Sequence, residues 1–194
     1  MVKSGRPRNA GAERAILQAA LDLVSVSGYR NVTVDAIAAR AGVSKMTVYR
    51  RWLHKAALVM DALLTLVGPG TDFPVAERAM DSLRLQLDLQ AKFFRGPHGL
   101  LIRSLVAEAQ TDADLARAFR EGWIVPRREG VVWVLQSAIE QGDLRKDLDV
   151  EVAVDALYGP IYYRLLIGTG KINRAFVDDL FEAFLRGHKR RKQD

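Results

Sequence analysis

Residues 33–52, TVDAIAARAGVSKMTVYRRW, restrict the fold more than any other stretch of the chain. Thr33 and Ser44 are residue types that cap helix starts, and Asp35 places a carboxylate in a first turn, where the helix dipole favours it. Ile37, Ala38 and Ala41 form a narrow apolar face that ends at Gly42, a residue able to take the left-handed backbone of a sharp turn. In the second short helix Val48 points back to the core, and small Ala38 opposite it lets the two helices cross closely and steeply. That is the logic of a helix-turn-helix. It leaves Lys45, Met46, Thr47, Tyr49 and Arg50 on the outer face. A helix from Lys45 to Arg51 is about 10 Å long, and the B-DNA major groove is about 12 Å wide. Such a helix enters the groove end first, its N-terminal residues meeting base edges while Tyr49 and later positions meet phosphate.

The rest of the chain is expected to be helical as well, giving an all-α fold of about nine helices. Residues 12–27 carry Ile16, Ala19, Ala20, Leu23 and Val24 at helical spacing, with Gly28 as a stop. A helix from Lys55 to Val67 runs into GPG at 68–70, and the next, with apolar positions at 76, 80, 83, 87 and 94, ends at RGP, 95–97. Further helices are expected over about 98–110, over 112–141 with Pro126 as a kink or break, over 149–167 with Pro160 doing the same, and over 173–186. No strand alternation exceeds a few residues.

The net charge of +6 is unevenly placed. Residues 1–60 hold ten Lys and Arg against three acids, while residues 61–185 hold 14 basic against 19 acidic side chains. A basic head on a mildly acidic body suggests that the head meets a polyanion. With no cysteine there is no disulfide framework, thiolate zinc site or cysteine nucleophile. His54, His98 and His188 stand too far apart in sequence for helical metal pairing, and paired-carboxylate and phosphate-cradle motifs are absent. No enzyme activity and no cofactor is expected. No apolar span is long enough for a membrane helix, so a soluble, cytoplasmic protein is expected.

In this order, a long first helix ending in SGY, the TVDAIAARAGVS helix and turn, the short KMTVYRRW helix, and a Lys opening the fourth helix resemble the DNA-binding domain of the TetR family of transcriptional repressors. The body segments RGPHGLLIRSLVAEAQ, VPRREG and LYGPIYYRLL are similar to one TetR subfamily. The resemblance implies a homodimer on a two-fold symmetric operator and a body that dimerises through its last two long helices and often holds a small-molecule inducer. It makes Thr33, Tyr49 and Lys55 phosphate contacts and puts base reading on Lys45, Met46, Thr47 and Arg50 beside the capping Ser44. Met46 is either a thymine-methyl contact or a partly exposed apolar side chain. Relatives often carry Pro-Ser before the lysine where this chain has Leu53 and His54, which leaves the start of helix four, and the aim of Lys55, less secure.

The opening segment VKSGRPRNAG, residues 2–11, reads as neither helix nor strand. Its SGRPR resembles an AT-hook core, so Lys3, Arg6 and Arg8 are candidates for a minor-groove arm; a merely solubilising terminus is the alternative. The expected division is a flexible basic arm over 1–10, a DNA-binding domain over 11–54 and a ligand-binding and dimerisation domain over 55–190. Phe94, Leu101, Trp123, Trp133, Tyr158 and Tyr162 are candidates to line a pocket for a small apolar or aromatic ligand, because prolines within helices and nearby tyrosines loosen packing. The partner surface is expected in 149–186, whose Val150, Val154, Leu157, Ile161, Phe176, Leu180 and Phe184 could form a four-helix interface or pack within one chain. A sequence-neutral architectural DNA binder and an enzyme with a DNA-binding head are the competing classes.

Overall fold

The computed structural model describes residues 8–68, 74 and 76–190. The described residues form helices α1 (Arg8–Ser27), α2 (Val34–Arg40), α3 (Lys45–Tyr49), α4 (Lys55–Val67), α5 (Ala79–Arg95), α6 (Pro97–Ala109), α7 (Ala113–Phe119), α8 (Val125–Glu140), α9 (Val150–Ile167) and α10 (Arg174–His188). A 3-10 turn, Tyr29–Asn31, follows α1, and the only β feature among the described residues is an isolated bridge between Leu144 and Lys189. The chain divides into two compact units, Met1–Gly68 with Ser104–Trp123, and Pro69–Arg103 with Ile124–Asp194.

In the first unit α1 packs on α2 and α4, α2 on α3, and α4 on α7. Ile16, Ala20 and Val24 of α1, Ile37 and Ala38 of α2, Val48 of α3 and Leu58, Val59, Ala62 and Leu63 of α4 are buried. These positions recur every three or four residues, so each helix places one apolar stripe inward. Leu115, Phe119 and Trp123 join them, with the Phe119 and Trp123 rings stacked at 6.2 Å.

In the second unit α5 packs on α8 and α10, and α9 packs on α8 and α10. Leu83, Leu87, Val134, Leu135, Leu157, Ile161, Val177 and Phe181 fill the interior. Val154, Leu157, Ile161 and Phe184, named from sequence as possible partner-facing residues, are buried within this unit, so these apolar faces serve the chain's own core.

One sequence expectation is corrected. Residues 8–11 are helical, because α1 begins at Arg8. First-turn amides need no intrahelical acceptor, and Gly11 lies in that turn, where its backbone freedom costs least. The expected interruption at Pro126 is present, since α7 ends at Phe119 and α8 begins at Val125, whereas Pro160 does not break α9. Residues 120–124 form a π turn between α7 and α8, immediately before Pro126. Its wider loop gives the ring room where an α-helix would set it against the carbonyl four residues back. Pro160 lies inside α9, preceded by Gly159, whose missing Cβ removes the side-chain part of the clash that disfavours helical backbone before proline.

Candidate nucleic-acid interface

The exposed end of the first unit is built by two capped short helices. Thr33 accepts a hydrogen bond from the Ala36 amide at 3.1 Å and starts α2; Ser44 accepts from the Thr47 amide at 3.2 Å and starts α3. Gly42 turns the chain between them at φ 67°, and the Val43 amide donates to the Ala38 carbonyl at 3.0 Å. Ala38 and Val48 are both buried, so burial of Val48 fixes which side of α3 faces out. Lys45, Met46, Tyr49 and Arg50 are exposed and Thr47 is half-buried. Met46 is 76% exposed, an apolar side chain that the chain's own packing leaves uncovered.

Lys45 is held by Asp35 of α2, its ammonium 2.8 Å from Oδ1. That hydrogen bond raises the Lys45 pKa, and the ammonium also lies 5.7 Å from the centre of the Tyr49 ring. Thr33 spends an oxygen lone pair on its cap and keeps its hydroxyl proton available to a phosphate. α3 is shorter than the sequence suggested, five residues, and closes through Arg50 into a turn at Arg51.

Lys55 has a partner within the chain. Its ammonium donates to the Tyr29 carbonyl at 2.8 Å and lies 4.1 Å from the centre of the Tyr29 ring. Burial lowers its pKa, partly offset by Asp112 and Glu108. The Tyr29 hydroxyl in turn donates to Asp112 at 3.2 Å, and burial beside that carboxylate holds the phenol well above its usual range. The lysine therefore ties the turn after α1 to the start of α4, and this bond uses one of its three ammonium hydrogens. The start of α4 is itself secure, because His54 Nδ1 accepts from the Ala57 amide at 3.2 Å and supplies the cap that a serine would. Tyr29 and Asp112 escaped the sequence reading, Asp35 entered it only as a first-turn charge and His54 only as the residue in place of a serine. A polar residue just before a helical Lys was the one available signal, and it pointed to His54.

Lys3 and Arg6 lie outside the described residues, and Arg8 opens α1. Of the residues expected around a ligand, Phe94 and Tyr162 meet edge to face at 5.3 Å, and the Tyr158 hydroxyl bonds to Gln86. Leu101 and Phe94 are buried in the second unit, and Trp123 packs against Phe119 in the first. Trp133 does not line an interior: it is 67% exposed, because α8 buries Val131, Val134, Leu135 and Ala138 instead.

Residues 16–62 match the family described as bacterial regulatory proteins, tetR family, and residues 78–184 match a Tetracyclin repressor-like C-terminal domain. The chain is 39% identical over 185 residues to YdeS, an uncharacterized HTH-type transcriptional regulator of Bacillus subtilis (strain 168), across 95% of this chain and 93% of that one. The DNA-binding transcriptional repressor TetR of Mycobacteroides abscessus is 29% identical over 196 residues, across 95% of each chain. The crystal structure of the TetR family transcription regulator SCO0332 is similar at a TM-score of 0.76 and 36% identity, over 91% of this chain and 97% of that one. With a capped helix-turn-helix whose outer face is free and with both halves matched, this chain belongs to the TetR family of DNA-binding transcriptional regulators.

Proposed function

We propose that the chain is a repressor that binds a palindromic operator as a homodimer and is released by a small molecule. The observation that carries this reading is the outer face of α3, where Lys45, Met46, Tyr49 and Arg50 stand exposed while Val48 is buried. Lys45, Met46, Thr47 and Arg50 read base edges, Thr33, Tyr49 and Lys55 meet phosphates, and Ser44 sets the start of the reading helix. Lys3 and Arg6, with Arg8 at the helix start, reach an A·T-rich minor groove beside each half-site. Residues 11–54 act as the DNA-binding part and 55–190 as the part that takes the ligand and the second copy, with no catalytic role and a cytoplasmic setting.

One short helix reads only a few base pairs, so two heads must act together to select a site. Release follows when the ligand prefers a state whose heads are misplaced for the operator, since only differential affinity shifts such an equilibrium. α4 is suited to carry that shift, because it packs on both α1 and α7 and begins at the Lys55–Tyr29 contact. Among the described residues no helix is long and apolar enough to cross a membrane.

The test is selection of the purified protein against a random duplex pool at about 150 mM salt, where nonspecific phosphate binding is weakened. Recovery of a two-fold symmetric sequence with A·T flanks is expected. Survivors indistinguishable from the input pool, with and without extracted small molecules, would refute the reading.

A further inference from the structure

We propose that a groove in the second unit binds an amphiphilic oxyanion, a small molecule bearing a carboxylate or phosphate on an apolar chain. The groove runs between the junction of α5 with α6 and the end of α9 with the loop that follows it, and its volume is about 420 Å³. That is within the span of small-molecule sites, roughly 300–1,000 Å³. Arg95, Arg103 and Arg164 line it, and no acidic side chain does. Phe94, Leu100 and Leu165 supply apolar wall, with Leu100 63% exposed at the rim.

Two of the three cations are held in place by backbone. Arg95 donates one Nη1 hydrogen bond to the Ile172 carbonyl at 3.2 Å. Arg164 donates to the Lys171 carbonyl at 2.6 Å, and its guanidinium carbon lies 3.5 Å from the centre of the Phe176 ring. A guanidinium has five N–H donors, so one bond to a carbonyl fixes its position and leaves donors for a ligand. Arg103 is exposed and has no ion pair or hydrogen bond among the described residues. Three guanidinium groups sharing a groove without a counter-charge repel one another, and an oxyanion relieves that repulsion while matching their planar forks. The apolar wall then selects anions that carry a chain over free inorganic ones.

This assignment rests on the reading of 55–190 as the part that takes a ligand and names that ligand's chemistry; because binding is measured without DNA, its failure leaves the operator reading standing. Of the residues that the sequence offered for a ligand, Phe94 alone lines the groove.

Calorimetric titration of the full chain at low salt with octanoate, octyl phosphate, octanol and inorganic phosphate tests it. Both octyl anions are expected to bind once per chain, with octanol and inorganic phosphate weaker by about tenfold or more, the worth of one charge-assisted hydrogen bond. Arg103→Gln, which removes a side chain with no folding partner, should weaken both anions by about tenfold. The exposed Arg186→Gln on α10 should leave them unchanged. Octanol binding as well as octanoate, phosphate binding as well as octyl phosphate, an Arg103→Gln chain binding like wild type, or no binding at all would each overturn the proposal.

Discussion

Lys45 meets DNA from an existing partnership, since its ammonium sits 2.8 Å from Asp35 on the neighbouring helix. Both side chains are exposed, so water and salt screen the pair and it adds little to stability. Its importance is in binding: Asp35 brings a negative charge to the surface that is proposed to approach phosphates. Replacing it, Asp35→Asn, should tighten operator binding by about threefold to tenfold at low salt and by less at high salt, because the removed repulsion is screened. Fluorescence anisotropy across a salt series measures this. Weaker binding by the variant would mean instead that Asp35 aims Lys45 at a base. The same substitution removes a favourable first-turn charge from α2, at about 0.3–1 kcal/mol. The exposure of Met46 and Tyr49 was legible in the sequence because burial of Val48 at helical spacing dictates the opposite face. The partner of Lys55 within the chain was not legible: the Tyr29 carbonyl and ring lie 26 residues earlier, and no local pattern announces that contact.

Among the elements, α4 shows how a cap can be present in unfamiliar form. Loss of the preferred serine suggested a loose helix start, yet His54 accepts from the Ala57 amide through Nδ1 and does the same work. His54→Ala should therefore cost about 1 kcal/mol, the usual value of a lost N-cap, while His54→Ser should restore it. Urea unfolding of the three chains decides the point, and an alanine variant as stable as wild type would remove the cap from the argument. Helix starts and stops were read well elsewhere, since Gly68 closes α4 and Gly96 closes α5 where the sequence had its breaks. Of the two prolines expected to kink or break a helix, Pro126 follows a π turn that interrupts the run between α7 and α8, whereas Pro160, preceded by a glycine, leaves α9 unbroken. The interior of the second unit was legible as apolar spacing, but spacing alone does not say which stripe meets its own chain. Hence Trp133 was assigned inward and is exposed.

For the whole molecule, the same ambiguity governs the partner surface. The stripe of α9 that includes Val154, Leu157 and Ile161 is consumed by the chain's own core. A second stripe, Val152, Ala156, Gly159, Tyr163 and Ile167, follows helical spacing and is exposed; Val152, Tyr163 and Ile167 are 62%, 57% and 65% accessible. Apolar side chains repeated along one exposed helix face, with small Ala156 and Gly159 between them, suit close approach of another helix. The proposed homodimer through 149–186 therefore uses this stripe. Tyr163→Glu should leave the folded chain intact, because Tyr163 projects from it, but would bury a carboxylate against apolar surface in the dimer. Its dimer affinity should fall by about a hundredfold or more, since a few kcal/mol separates the two states. Sedimentation at micromolar concentration is then expected to show a dimer for wild type and a monomer for the variant. Circular dichroism should match between them. On DNA the variant should bind a full palindrome no better than an isolated half-site, because the reading helix is unchanged and only its coupling to a second head is lost. A variant that stays dimeric would place the partner surface elsewhere, whereas a monomeric variant that still prefers the full palindrome would mean that DNA alone brings the two heads together.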